Sequence, residues 1–215
     1  MKKIFSAIRV TLTITLIWLS SLGCSFFIML NCSAIWLDLH SSYLKAVSTS
    51  HQLADYWRVI RYLQLPWIDN LQFQYLAMGS SAIHHFQDVR GLVLGTEILL
   101  LICLLLSILM LRYQKRTFQL WQLKGPLGWS YIIVLILLGT GIVNFDQAFI
   151  GFHEVVFNNQ DWIFNVYTDQ IINMLPINFF LTSSLIWFGL TFILVGLTHF
   201  WINHQLKLFA DHFTP

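Results

Sequence analysis

The sequence predicts an all-α integral membrane protein with four transmembrane helices and a small helical extracellular cap. Of its 215 residues, 57% are hydrophobic and only 10% are charged, whereas soluble domains carry about a quarter charged residues. Because a transmembrane helix needs about 20 apolar residues, long stretches without charge mark candidate spans. Three stretches contain no Asp, Glu, Lys or Arg, and they lie between Arg9 and Asp38, between Lys124 and Asp146, and between Asp169 and Lys207.

A fourth apolar stretch completes the organisation, since only Glu97 interrupts residues 91–111. The N-terminal tail and first span are predicted at 1–34, followed by the cap at 35–90. The second span is predicted at 91–111 and the third at 128–149, with a basic connection at 112–127. The remaining segments are a second outward stretch at 150–176 and the fourth span with the C-terminal tail at 177–215. Within the cap, residues 59–65 predict a short amphipathic helix that ends at Pro66.

The N-terminus also resembles a signal peptide, because Lys2 and Lys3 precede an apolar run that reaches the segment Ser21-Leu-Gly-Cys24. That run continues as far as Leu30, whereas the apolar core of a signal peptide has about 7–15 residues. We therefore expect an uncleaved first span.

Basic residues predict which side of the membrane each segment faces. Lysine and arginine precede the first span, and four basic residues without any acid lie in the 112–127 connection. Because such residues concentrate on the cytoplasmic side, both termini are expected in the cytoplasm. The 35–90 and 150–176 segments then face outward. These flanks account for the net charge of +2, so no nucleic-acid partner is expected.

A segment rich in phenylalanine follows the third predicted span and contains a histidine and an acid. Phe145, Phe149 and Phe152 recur at helical spacing, and Asp146 and His153 are seven residues apart, so they share one helix face. A titratable histidine among aromatic rings at the end of a span predicts chemistry at the lipid–water boundary.

A second histidine motif, His84-His85-Phe86-Gln87-Asp88, precedes the second predicted span. Asp88 is at helical spacing from both histidines, so either histidine can pair with it. Because both motifs lie at outward helix ends, the fold can bring them together. Two histidines at one interface can serve as base and acid, since an unperturbed imidazole titrates near neutral pH.

Other types of site are less well supported by the spacing. The histidines and aspartates include no HExxH or comparable metal motif, so neither a metal nor a cofactor is expected. Ser80 or Ser81 near His84 is a possible nucleophile, but no strand–turn–helix context supports it. A non-catalytic binding or transport protein remains an alternative, although the four spans show no repeat.

The two motifs together resemble the lipoprotein intramolecular transacylases, known as the Lit family. The resemblance rests on Phe145-Asp146-x-x-Phe149-x-x-Phe152-His153-x-x-x-Phe157-x-Asn159-x-x-Trp162, on Asp169-x-Ile171-Ile172-x-x-Leu175-Pro176-x-x-Phe179-Phe180, and on His85-Phe86-Gln87-Asp88-Val89-Arg90. The last motif departs from the family pattern at Phe86, where the family has Met, and at Arg90, where it has Lys.

The resemblance implies a multi-pass enzyme of the Gram-positive cell membrane that acts at the outer leaflet on diacylglyceryl-modified lipoproteins. In this family, the sn-2 acyl chain of the N-terminal lipidated cysteine moves to the cysteine α-amine and leaves a lyso-form lipoprotein. His85 and His153 match the two catalytic histidines. The oligomeric state stays open.

The residues around these histidines supply the remaining expectations. We expect Asp88 and Asp146 to orient the histidine rings, as a carboxylate does in a catalytic triad. The residues expected to bind the substrate or stabilise its charge are Phe149, Phe152, Phe157, Asn159, Trp162 and Arg90.

Overall fold

The structure, a computed structural model, describes residues 2–213, and it describes the side chains of residues 3–137 and 144–211. All regular elements of this part of the chain are helical. The α-helices are α1 (Lys2–Cys32), α2 (Thr49–Gln64), α3 (Ser80–Arg116), α4 (Trp121–Val143), α5 (Phe145–Val156) and α6 (Ile177–Phe213). Short 3-10 helices occupy Ser33–Trp36, Ser42–Leu44 and Gln170–Met174. Residue 1 and the last two residues of the predicted C-terminal tail lie outside the described part.

The chain forms two compact units, and the long helices α1, α3 and α6 each contribute residues to both. The first unit contains the described parts of Met1–Phe26, Ile98–Val143 and Trp187–Pro215, and the second contains Phe27–Glu97 and Asn144–Ile186. The second unit holds both histidine motifs.

In the first unit, helices α1, α4 and α6 pack around a small apolar core. Its fully buried side chains are Ile17, Leu120, Leu123, Leu127, Val195 and Ile202. Polar side chains join α1 to α3 and to α6, with hydrogen bonds of 2.7 Å from Gln114 Nε2 to Thr13 Oγ1 and 2.6 Å between Ser25 and Thr191. Because lipid tails are as apolar as leucine, helices in a membrane associate through such close packing and interhelical hydrogen bonds.

Three of the described helices are long and apolar enough to cross a membrane. The candidate spans are Lys3–Trp36, Ser80–Arg116 and Ile177–Asp211. At 1.5 Å per residue, the 37 residues of α3 extend about 55 Å, whereas the hydrocarbon core is about 30 Å thick. Helix α3 therefore continues beyond the core, and its first turns precede the predicted span at 91–111. The third predicted span, at 128–149, stays a prediction, for which α4 with its 23 residues is the candidate.

The helices in the region of the third predicted span have bounds that differ from those expected. A continuous helix over 128–149 was expected, but α4 begins at Trp121 and ends at Val143, and a separate helix begins at Phe145. Asn144 between them has φ −129° and ψ 59°, which is not helical. The 112–127 connection is correspondingly shorter, because α3 reaches Arg116 and only residues 117–120 separate it from α4.

In the second unit, α2 is longer than the helix predicted over 59–65. It begins at Thr49, where Ser48 caps its N-terminus by accepting a hydrogen bond from the His51 amide, and it ends two residues before Pro66. Its buried face includes Tyr56, Val59, Ile60, Tyr62 and Leu63. The helix thus supplies much of the core of this unit.

A buried carboxylate fastens the segment that follows α2. Asp55 is fully buried, and its oxygens accept hydrogen bonds of 2.8–2.9 Å from the amides of Gln74, Tyr75 and Leu76. Arg58 donates to the same carboxylate at 2.6 Å. A buried charge is stable only when it is paired and hydrogen-bonded, so this segment is fixed by one side chain.

We expect Asp55→Asn to lower the free energy of unfolding by about 3 kcal/mol, because amide donors are left facing an NH₂ group and Arg58 loses its partner. Residues 66–79 contain no Lys or Arg but do contain Trp67, Phe73 and Tyr75. The loss of stability will be measured as faster chymotrypsin cleavage at these residues and as a lower unfolding midpoint. The exposed Asp69 is the matched control, and an equal effect of Asp69→Asn would contradict the explanation.

Candidate active site

The second unit brings the two predicted histidines together. His85 lies near the start of α3, and His153 lies in the C-terminal half of α5. Their ring centroids are 5.9 Å apart and the ring planes are inclined by 33°. A single reacting centre between them can be within hydrogen-bond reach of both rings, at about 3 Å from each.

His153 is oriented by the backbone of its own helix. Its Nδ1 is 2.7 Å from the carbonyl oxygen of Phe149, one turn earlier. A carbonyl oxygen can only accept a hydrogen bond, so Nδ1 carries the proton and, in the neutral ring, Nε2 keeps its lone pair. Asp146 was expected in this role, but among the described residues it makes no hydrogen bond to His153, and its side chain is exposed.

His85 has a different environment. The residue is only 8% exposed, and aromatic rings surround its imidazole, with centroid distances of 4.8 Å to Phe157, 5.4 Å to Phe164 and 6.1 Å to Phe86. Its Nδ1 is buried and has no hydrogen-bond partner among the described residues. Orphaned buried N–H groups are rarer in proteins than orphaned acceptors, so we infer that the neutral ring carries its proton on Nε2 and leaves Nδ1 without one.

The surroundings also determine the charge of His85, which lies outside the predicted span at 91–111. Burial, chiefly, and then the positive charge of a protonated His153 lower the pKa of His85 to about 4, against the opposing effects of Asp88 and Asp161. The ring is therefore neutral at pH 7.

A loop after α5 is attached to the start of α3 through Asn159. Its Nδ2 donates a hydrogen bond of 2.9 Å to Asp88, and its backbone carbonyl accepts one of 3.1 Å from Trp162 Nε1. The Trp162 ring is thereby placed 4.9 Å from the His153 ring. Asp88 thus holds this loop, and its charge acts on His85. Among the described residues, no hydrogen bond joins Asp88 to either histidine ring.

Rings line both sides of the histidine pair. Phe149 lies 4.3 Å and Phe152 5.4 Å from His153, while Phe157 lies within 5.6 Å of both histidines. Phe164 also touches His85 but was not among the predicted site residues, although it follows Trp162 by only two positions. The aromatic content of the 150–176 segment indicated that some of its rings could line the site, but nothing in the spacing distinguishes Phe164 from its neighbours.

Arg90, expected near the substrate, has a structural position. Its Nη2 donates to the carbonyl oxygen of Pro66 at 2.9 Å, and its guanidinium lies 4.8 Å from the centroid of the Tyr62 ring. These contacts fasten α3 to the end of α2. His84 is the exposed member of the histidine doublet, and its Nδ1 is 3.7 Å from Asp161.

A second buried carboxylate fixes the start of α3. Asp169 is 3% exposed, and its oxygens accept hydrogen bonds of 2.9 Å from the Gly79 amide, 3.2 Å from the Asn165 amide and 3.0 Å from Thr168 Oγ1. The amide of Gln170 also donates to the carbonyl of Ala77 at 3.1 Å. The residue preceding α3 is therefore joined to the loop that carries Phe164.

The chain matches one protein family over most of its length. The sequence model of the lipoprotein intramolecular transacylase Lit matches residues 6–180.

The chain belongs to the Lit family.

This confirms the resemblance found from the histidine motifs. Together with three long apolar helices, it identifies the chain as an integral membrane protein.

Solved structures of a Lit protein have the same fold. The membrane integral lipoprotein intramolecular transacylase Lit from Bacillus cereus superimposes with a TM-score of 0.84 at 20% identity, covering 96% of this chain and 98% of that one. Variants of the same protein with one histidine replaced by alanine or by arginine give TM-scores of 0.78 and 0.74 at 16% and 17% identity. Each covers 98% of this chain, and 97% and 98% of the variant chains respectively. A comparison with curated proteins found no match.

The contact between Gly79 and Asp169 predicts a mutational effect at a distance from both histidines. A Cβ at position 79 would lie 2.7 Å from Asp169 Oδ1, whereas a Cβ at Gly91 would meet no atom within 4 Å. We expect Gly79→Ala to displace the start of α3, to lower activity at least tenfold and to reduce thermal stability. Gly91→Ala, the control on the same helix, should be neutral or stabilising because alanine favours helix. Parent-like activity in Gly79→Ala would show that this junction does not position His85.

Proposed function

We propose that this chain transfers the sn-2 acyl chain of a diacylglyceryl-modified lipoprotein to the α-amine of the same lipidated cysteine, and so forms a lyso-form lipoprotein. The single observation that carries the proposal is the pair of histidine rings 5.9 Å apart in a member of the Lit family. Ester and amine belong to one molecule, so no second acyl donor is needed. Catalysis then depends on folding the lipid headgroup until amine and ester carbonyl meet, and positioning of this kind can lower a barrier by several kcal/mol (about 7–11 in favourable cases).

The surface of α5 suits a substrate that arrives from the membrane. The helix has no buried residue, and Ile150, Phe152, Val155 and Val156 are all exposed. A short helix with an apolar exposed face is typical of a helix that lies in the membrane interface. We place α5 at the outer leaflet, where the acyl chains of the substrate stay in lipid while its headgroup reaches the two histidines.

His153 is the proton carrier in the proposed mechanism. Its Nδ1 hydrogen bond to the Phe149 carbonyl leaves Nε2 as the base and stabilises the imidazolium that forms, as a triad aspartate does. Nε2 takes the proton from the attacking amine as the N–C bond forms. The resulting imidazolium returns the same proton to the glyceryl oxygen as the ester C–O bond breaks. An ester and an amine thus become an amide and a hydroxyl, and no proton is gained or lost.

His85 stabilises the oxygen charge in this mechanism. A neutral imidazole with its proton on Nε2 can donate a hydrogen bond to the oxygen of the tetrahedral intermediate. Because the ring is buried and oriented before the reaction, the donor needs no reorganisation when charge develops, and preorganised donors of this kind contribute about 3 kcal/mol each. The aromatic lining excludes water, which strengthens this hydrogen bond and limits hydrolysis of the ester.

We expect His85→Ala and His153→Ala to lower the rate of acyl migration at least a hundredfold, because each histidine supplies about 10²–10⁴. The variants would be produced in a host without other N-acylating enzymes, and N-terminal lipopeptides would be examined by mass spectrometry. His84→Ala, which changes the exposed neighbour, is the control and should retain activity. Lyso-form product from both alanine variants would refute the two-histidine mechanism. Absence of product with the unmodified protein, alongside solute flux through vesicles, would favour the transport alternative.

Glutamine variants separate the roles of the two histidines. A glutamine amide can donate a hydrogen bond but cannot accept a proton near neutral pH. His85→Gln should therefore keep more activity than His85→Ala, whereas His153→Gln should be as inactive as His153→Ala. Since His85 stays neutral above a pH of about 5, given its pKa of about 4, His85→Gln should leave the shape of the pH–rate profile unchanged. A shifted profile in His85→Gln would instead assign proton transfer to His85.

A further inference from the structure

A groove in the first unit combines an apolar wall with a cationic end. Its volume is about 610 Å³, within the range of about 300–1,000 Å³ typical of ligand sites. Helices α1, α3 and α6 form its sides, with Ile17, Leu104, Ile108 and Leu197 among the apolar lining residues. Ser20, Ser21 and Ser107 also line this groove.

Two basic residues define one end of the groove. Arg112 and Lys115 are three residues apart on α3, so they project from one face of the helix. The Lys115 ammonium lies 5.9 Å from the centroid of the Trp201 ring, which also lines the groove. Tryptophan concentrates where lipid headgroups meet water, so this contact places the ammonium at headgroup level.

In the described part of the chain, no carboxylate is paired with the charges at this end. No acid lines the groove, and Asp211 is the only acid in the sequence of the first unit, which contains eight Lys and Arg residues. A neutral apolar ligand would leave both cations without a partner. The complementary ligand has an anionic headgroup attached to a long apolar chain.

We propose that this groove binds a phospholipid with a net anionic headgroup. The phosphate contacts Arg112 and Lys115, and an acyl chain follows the apolar wall formed by Leu104, Ile108 and Leu197. His85 precedes the predicted span at 91–111 and both cations follow it, so the lipid belongs to the cytoplasmic leaflet by the positive-inside rule. Basic pockets between transmembrane helices on this side are suited to anionic headgroups. The site is independent of the proposed acyl transfer.

Native mass spectrometry of the full chain tests the proposal with three lipids that share the same acyl chains: phosphatidylglycerol, phosphatidylcholine and diacylglycerol. We expect the parent protein to retain phosphatidylglycerol in preference to the other two. Each basic residue near a headgroup contributes about a fivefold gain in affinity, so Arg112→Gln with Lys115→Gln should weaken retention about 25-fold. The control pair, Arg116→Gln with Lys124→Gln, removes the same charge outside the groove and should retain the lipid.

A second pair of variants tests the apolar wall without changing any charge. Leu104 and Leu105 are neighbours on α3 and both are exposed, but only Leu104 lines the groove. Leu104→Trp should block lipid retention, and Leu105→Trp should not. Equal retention of phosphatidylglycerol and phosphatidylcholine by the parent protein, or equal losses in test and control variants, would overturn the proposal. Preferential retention of diacylglycerol would overturn the proposal as well, because a ligand without phosphate makes no ionic contact with Arg112 and Lys115.

Discussion

The Asp169 carboxylate is the constraint on which the candidate active site depends. It joins the amide that precedes α3, the helix with His85, to the loop after α5 that carries Phe164. Because a buried charge must be fully paired, both segments have to be in place before the carboxylate is stable there. Its hydrogen bonds thereby link the folding of the second unit to the assembly of the histidine pair.

Much of the fold followed from the distribution of charge in the sequence. Apolar stretches with at most one charge located the apolar parts of the long helices α1, α3 and α6, because apolar runs of this length have no other stable arrangement in a membrane. The break at Asn144 was missed, since hydropathy measures whether residues tolerate lipid and contains no information on where a helix bends. Helix α2 was predicted to be too short because its first turns are polar. A capping serine, and not an apolar period, determines where it begins.

The position of the two histidine motifs was more predictable than their interactions. Helical spacing drew attention to His84, His85 and His153, the resemblance selected His85, and the structure brings the rings of His85 and His153 together. Spacing also suggested Asp146 as the orienting group, but residues seven apart on a helix are about 10 Å apart along its axis. Asp88 accepts a hydrogen bond from Asn159, and Arg90 instead binds the carbonyl groups after α2. Such roles depend on tertiary contacts between segments distant in sequence, which a local pattern cannot specify.

The hydrogen bond between His153 and the carbonyl of Phe149 has a consequence for how this enzyme family can evolve. In a catalytic triad the orienting carboxylate is a side chain that one mutation can remove. Here the acceptor is a peptide carbonyl, which every amino acid provides in the same place as long as the helix is intact. The hydrogen-bond partner of His153 therefore cannot be lost by substitution at position 149 as long as the helix is intact.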